Sequence, residues 1–172
     1  MSFLRAHDVA VALQLCLTPG LAYRALAEAV GVSQGETHNA VQRLMAARLV
    51  RSDTREVNRS QLLDFLIGGV PYAYAVSLGA ETRGVPTSHA APPLKASFPD
   101  ADAVVWPSAD GKVRGAAVEP LYPAAPATAR HNPDLYELLA LVDALRIGRA
   151  RERQRARAEL RERLRAEGAL VA

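Results

Sequence analysis

Leu26-Ala27-Glu28-Ala29-Val30-Gly31-Val32-Ser33-Gln34-Gly35-Glu36-Thr37-His38-Asn39-Ala40-Val41-Gln42-Arg43-Leu44 puts each residue class where two helices joined by a tight turn need it. Leu26, Ala27 and Val30 form an apolar stripe, with the small Ala27 where a second helix must approach closely, and Gly31 can take the left-handed conformation that ends the first helix. Ser33 restarts the chain. Its hydroxyl can cap the next helix while Glu36, three residues on, reaches back to the Ser33 amide, which makes a capping box. Thr37, Ala40, Val41 and Leu44 then repeat at helical spacing and face inward, leaving Gln34, Gly35, His38, Asn39, Gln42 and Arg43 outward. Amide and guanidinium groups on one helix face are the donors and acceptors that match base edges in a major groove. The expected DNA-contacting set in this helix-turn-helix is Ser33, Gln34, Gly35, Thr37, His38, Asn39, Gln42 and Arg43.

Continued through Met45-Ala46-Ala47-Arg48-Leu49-Val50, the segment resembles the winged helix-turn-helix domain of bacterial regulators of the MarR type, over about the first third of the chain. In that family a helix ends in Gly and is followed by a hydrophobic residue, a Ser cap, a recognition helix and a closing Gly-Leu-Val that leads into the wing. Gly31-Val32-Ser33 and Leu49-Val50 match, while Arg48 stands where Gly is usual. The resemblance implies binding to double-stranded DNA through the second helix.

The flanking sequence supplies the rest of such a module. Ala6 to Leu17 is apolar at Val9, Leu13 and Leu17, and Pro19-Gly20 breaks it, giving a helix ahead of the pair. Ser52-Asp53 and the extended Arg55-Glu56-Val57 predict a short β-hairpin carrying Arg51 and Arg55 near its tip, with Arg59 just beyond. These three arginines are the expected phosphate or minor-groove contacts.

Farther on, Asn58-x-x-Gln61 caps a helix that Gly68-Gly69 stops, and Val70 to Val76 reads as an extended segment with Tyr72 and Tyr74 on one side. Between Leu78 and Pro99 the pattern is that of a long loop, in which Arg83, Thr87, Ser88 and His89 form the cluster that most resembles a ligand pocket. Ala103 to Trp106 and Val113 to Val118 flank an Asp110-Gly111 turn and predict a β-hairpin. A proline-rich connector leads to Asn132-Pro133-Asp134, a helix start. Leu135, Leu138, Val142 and Leu145 then form an apolar stripe, the expected two-fold interface of a homodimer. After Gly148 comes a highly charged helix from Arg149 to Glu167, with Arg155/Glu159, Glu159/Arg163 and Arg163/Glu167 spaced for ion pairs.

The expected fold class is α+β, in three units: a winged helix-turn-helix at 1–68, a small α+β unit at 69–131, and a helical dimerisation and tail region at 132–172. No long apolar run and no cleavable leader are present in these 172 residues, which predicts a cytoplasmic protein with no membrane partner. Cys16 is the only cysteine, so an intrachain disulfide is excluded. Charge is segregated. Arg43, Arg48, Arg51, Arg55 and Arg59 stand against Asp53 and Glu56, and residues 146–172 hold nine Arg against four Glu, whereas residues 60–145 are net acidic. Clustered arginine supplies a sequence-independent attraction to phosphates. His7, His38, His89 and His131 lack metal-ligand spacing and no phosphate loop follows a strand, so neither a metal, a cofactor nor an enzymatic reaction is expected. The expectation is a dimeric, sequence-specific repressor. The alternative is an antitoxin-like or scaffolding module that binds a partner protein through residues 60–172 and regulates its own promoter; the layout is similar to that of antitoxin-type regulators of phage-defence operons.

Overall fold

The computed structural model describes residues 3–165 of the chain. Pro19-Gly20, with Gly20 at φ +77°, separates α1 (Ala6–Leu17) from α2 (Tyr23–Val30). Gly31, at φ +84°, ends α2, and Ser33 caps α3 (Gln34–Ala46) through Glu36 N to Ser33 Oγ at 3.2 Å. The reciprocal half of the expected capping box is absent among the described contacts, because the Glu36 carboxylate turns toward Arg43 and His7 instead. Asp8 to Cys16 are all buried, since α1 is covered by α2 and α3 on one side and by a C-terminal helix on the other. A helix surrounded in this way must be apolar all round, and its Val9 to Leu15 run nearly is. Burial pushes the Cys16 thiol up to about 11, so it is an inert packing residue.

After α3 the chain makes a minimal hairpin. Val50 and Val57 form one antiparallel bridge, Arg51 N donates to Glu56 O at 2.8 Å, and Asn58 N to Leu49 O at 2.8 Å. Asn58 then caps α4 (Arg59–Gly68) through the Gln61 amide.

The middle of the chain departs from its sequence pattern. Val70 to Ala73 is a short helix, α5, started by Pro71 in its first turn, where an extended segment was expected. Tyr72 projects into solvent, and the Tyr74 hydroxyl donates to Leu4 O at 3.0 Å, so the tyrosines share no strand face. Inside the expected loop lies β1 (Glu81–Pro86). β2 (Val104–Pro107) and β3 (Val113–Ala117) do not pair as the expected hairpin. Both run antiparallel to β1, with Val85 opposite Trp106 and Arg83 opposite Arg114, and are parallel to each other, Val104 opposite Ala116, closing a three-stranded barrel. The physical reason is the partner: once β1 is available, each strand satisfies its backbone groups on β1, and Asp110-Gly111 becomes a loop between parallel neighbours.

The proline-rich connector contains α6 (Ala125–His131), which leads into α7 (Pro133–Ile147), capped by Asn132 Oδ1 on the Leu135 amide at 3.2 Å. Gly148 separates α7 from α8 (Ala150–Arg163). The Arg155–Glu159 and Arg163–Glu159 pairs form, whereas Arg163/Glu167 lies outside the described residues. Asp143 on α7 ties the halves together: its Oδ2 accepts from Thr87 Oγ1 at 2.7 Å and Trp106 Nε1 at 2.6 Å, and its Oδ1 pairs with Arg146 at 2.8 Å.

Leu135, Leu138, Val142 and Leu145 are buried within the chain, all at 2 % exposure or less. The stripe expected to pair two subunits is therefore core, because α7 packs against α1, α4, α5, α6 and α8 and none of its apolar face is left over. Buried side chains from all three expected units belong to a single cluster, so boundaries at 68 and 131 do not separate independent cores. The described part is mixed α+β, and none of its helices is long and apolar enough to cross a membrane.

Candidate nucleic-acid interface

α3 is amphipathic in the strict sense that its two faces do different things. Thr37, Ala40, Val41, Arg43 and Leu44 are buried against α1 and α2, while Gln34, Gly35, His38, Asn39 and Gln42 are exposed on the opposite side. Among the described residues, Gln34, Asn39 and Gln42 commit their amides to no intramolecular hydrogen bond, and the His38 ring nitrogens have none either. A row of free amides on a helix held rigidly from behind can bind another molecule without first breaking an internal contact.

Two members of the expected set are not on this face. Thr37 is fully buried, its hydroxyl donating to Ser33 O at 2.9 Å, the usual fate of a threonine one turn into a helix. Arg43 is 8 % exposed. Its guanidinium binds Asp8 through Nε to Oδ2 at 2.8 Å and Nη2 to Oδ1 at 2.7 Å, and its Nη2 also lies 2.6 Å from Glu36 Oε1 and 3.1 Å from His7 Nε2. The reason is visible on the helix wheel, since Arg43 lies one turn from the buried Ala40 and two turns from Glu36. Asp8, buried in α1, needs a cation, and Arg43 is the one that reaches it. His7, Asp8 and Glu36 group their ligand-type atoms within 4.8 Å, but the positive charge at their centre is this guanidinium. The pairing holds the Glu36 carboxyl below its usual range, mainly through the Arg43 hydrogen bond, and raises Arg43, mainly through Asp8.

The hairpin arginines divide similarly. Arg51 is exposed and paired with Asp53 at 3.1 Å. Arg55, at φ +59°, lies 4.7 Å above the Tyr23 ring and donates to Leu21 O. Arg59 donates to Cys16 O at 2.8 Å, closing the C-terminal end of α1. Arg55 and Arg59 are thus anchored by main-chain carbonyls, whereas Arg51 is exposed with its guanidinium held by the nearby Asp53 carboxylate.

Two residues outside the expected contact set, Tyr23 and Arg48, stand beside it. Tyr23, at the first turn of α2, brings the hairpin and α3 together: its ring faces Arg55 and stands 5.1 Å from that of His38. Arg48, at φ +62°, adopts the left-handed conformation that glycine takes most readily, and keeps an exposed cation at the turn after α3. Arg48, Arg51 and Ser52 line a shallow cleft with Met45 of α3. Arg48 was legible as a departure from a pattern; nothing in the spacing of Tyr23 marked it.

The expected ligand cluster is dispersed in role. Thr87 bonds Asp143, and the His89 Nε2 lies 2.7 Å from Asp102 O. Ser88 is buried at φ +53° with no partner for its hydroxyl among the described residues. Arg83 stands opposite Arg114 in the register of the neighbouring strands β1 and β3. A scan against protein-family models, a search of curated proteins and a search of solved structures each found no match.

Proposed function

We propose that the protein is a sequence-specific DNA-binding regulator whose α2, α3 and following hairpin act as a winged helix-turn-helix, with α3 in the major groove. The observation that carries this reading is the uncommitted polar face of α3, Gln34, His38, Asn39 and Gln42, backed by a buried ion-pair cluster that fixes the helix's orientation. Asn and Gln amides read adenine bidentately, and Ser33 at the helix N-terminus is placed for a phosphate. Arg48 and Arg51 beside the end of α3 supply phosphate contacts. Regulation by occupancy follows, since a bound protein of this size blocks other factors from its site and needs no second activity.

The test is a gel-shift titration with duplex taken from the protein's own upstream region, in excess non-specific competitor. A discrete complex that survives competitor supports the reading; equal displacement by shuffled duplex contradicts it.

A further inference from the structure

The stretch from Phe65 to Ala80 holds no charged residue, although 23 % of the protein is charged. Most of its second half is exposed. After α5, Ala75 to Gly79 run without helix, turn or bend, and Gly79 N donates to Ala117 O at 2.8 Å while Ala117 N donates to Ala80 O at 3.1 Å, which ties the segment to the end of β3. The pairing goes no farther. Beyond Ala117 the opposite chain enters Pro120 and Pro123, which have no amide hydrogen to give, and the two diverge around a groove of about 760 Å³, with Ala75, Val76 and Ser77 on one wall and Pro120 and Tyr122 on the other. Among the described residues, the main-chain N–H and C=O groups of Ala75, Val76, Ser77 and Leu78 take no intramolecular hydrogen bond. Of the four large apolar side chains that stand exposed among the described residues, three lie here: Tyr72 at 80 %, Leu78 at 53 %, and Phe3 at 73 %, next to Leu4, whose carbonyl accepts from Tyr74. Native sheet edges are guarded against pairing with another chain by lysine, proline or an inward charge. Val76 to Ala80 carries none of these.

We propose that this segment is the surface on which two copies of the chain associate, Ala75 to Leu78 of each pairing antiparallel across a two-fold axis. Free donors and acceptors on an unbent segment require a strand, and an identical strand supplies them in matching order once it is reversed. The absence of charge selects that occupant. A two-fold contact lays a patch against itself, so a net charge on it would repel its own image, and the groove's lining carries only Glu119, exposed on the far wall. Tyr72, Leu78 and Phe3 add apolar area beside the paired strands. The association stands independently of the DNA reading, and it gives the assembly two α3 helices.

Sedimentation velocity of the full chain over a micromolar concentration series tests this. The unaltered protein is expected to sediment as a dimer that dissociates on dilution, with little dependence on salt because no ion pair holds it. S77K/L78K places like charges on both strands of the pair and is expected to raise the dissociation constant on the order of 100-fold or more. Its circular-dichroism spectrum is expected to be unchanged, since both positions are exposed. Mixed with S77E/L78E it is expected to form a mixed dimer, which requires these positions to face their own images. Should the double variant lose its cooperative thermal transition, the single S77K decides in the same way. An unaltered protein that is monomeric throughout the series overturns the proposal and leaves the edge to a strand of another protein. A dimer that the folded lysine variant leaves unchanged overturns it too. N39A/Q42A is expected to dimerise normally while losing its preference for upstream duplex, so that failure of the DNA reading and failure of this one are read separately.

Discussion

Arg43 changes role once its surroundings are known, and its variant separates two ideas about α3. Removing the guanidinium strands Asp8, which is 1 % exposed, without a counter-charge. Breaking a buried pair from one side costs about 3–5 kcal/mol. Arg43→Ala is therefore expected to lower the unfolding midpoint sharply in a denaturant titration, an outcome that a base-contacting arginine on the surface would not produce. The same cluster sets an acid limit. Glu36 has its carboxyl lowered in the folded state, so its contribution is full above its ordinary value of 4.5 and is lost as pH falls through the lower folded value. Stability measured from pH 6 downward should decline there, and Arg43→Ala should remove that part of the decline. Arg48 is the opposite case. A left-handed arginine costs roughly 1–2 kcal/mol, of which glycine recovers part after its own entropic cost. Arg48→Gly is expected to stabilise the chain by about 0.5–1 kcal/mol while reducing the salt dependence of DNA binding by about one unit. A destabilised variant would contradict the backbone argument.

At the scale of elements, the longer helices and the positions of β2 and β3 were legible, whereas α5, α6, β1 and the pairing of the strands were not. The bounds of α1, the cap at Asn58 and the start of α7 at Asn132-Pro133 follow from breakers and caps, which act locally. β1 has Arg83-Gly84 and Pro86 in place of an alternating apolar pattern, so only its two partners reveal it. With β1 unseen, β2 and β3 had only each other, and the hairpin was the wrong solution for the same reason. α7 misled differently: its apolar stripe is real, but a stripe does not say which surface covers it. Because Leu138 and Val142 are core, L138E/V142E is expected to abolish cooperative unfolding by placing unpaired charges in the interior. A folded variant with weaker self-association would restore the stripe as an interface.

At the scale of the whole molecule, the N-terminal helices depend on the C-terminal half. Val30 O accepts from the Tyr122 and Thr128 hydroxyls, Ala29 O accepts from Asn132, and α7 covers α1. These contacts close the end of α2 next to the turn that presents α3. A fragment of residues 1–68 is expected to show no cooperative thermal transition, checked by circular dichroism; an independently folding fragment would contradict the single core. The DNA reading proposed for the chain rests on one face held by that core. The most direct measurement of it is the ratio of affinities for upstream and shuffled duplex, compared between the unaltered protein and Asn39→Ala/Gln42→Ala. Each bidentate amide contact to a base discriminates by ~1–3 kcal/mol. The ratio is expected to fall on the order of 30-fold or more with the fold and the salt slope intact. An undiminished ratio in a folded double variant would show that α3 does not read the DNA.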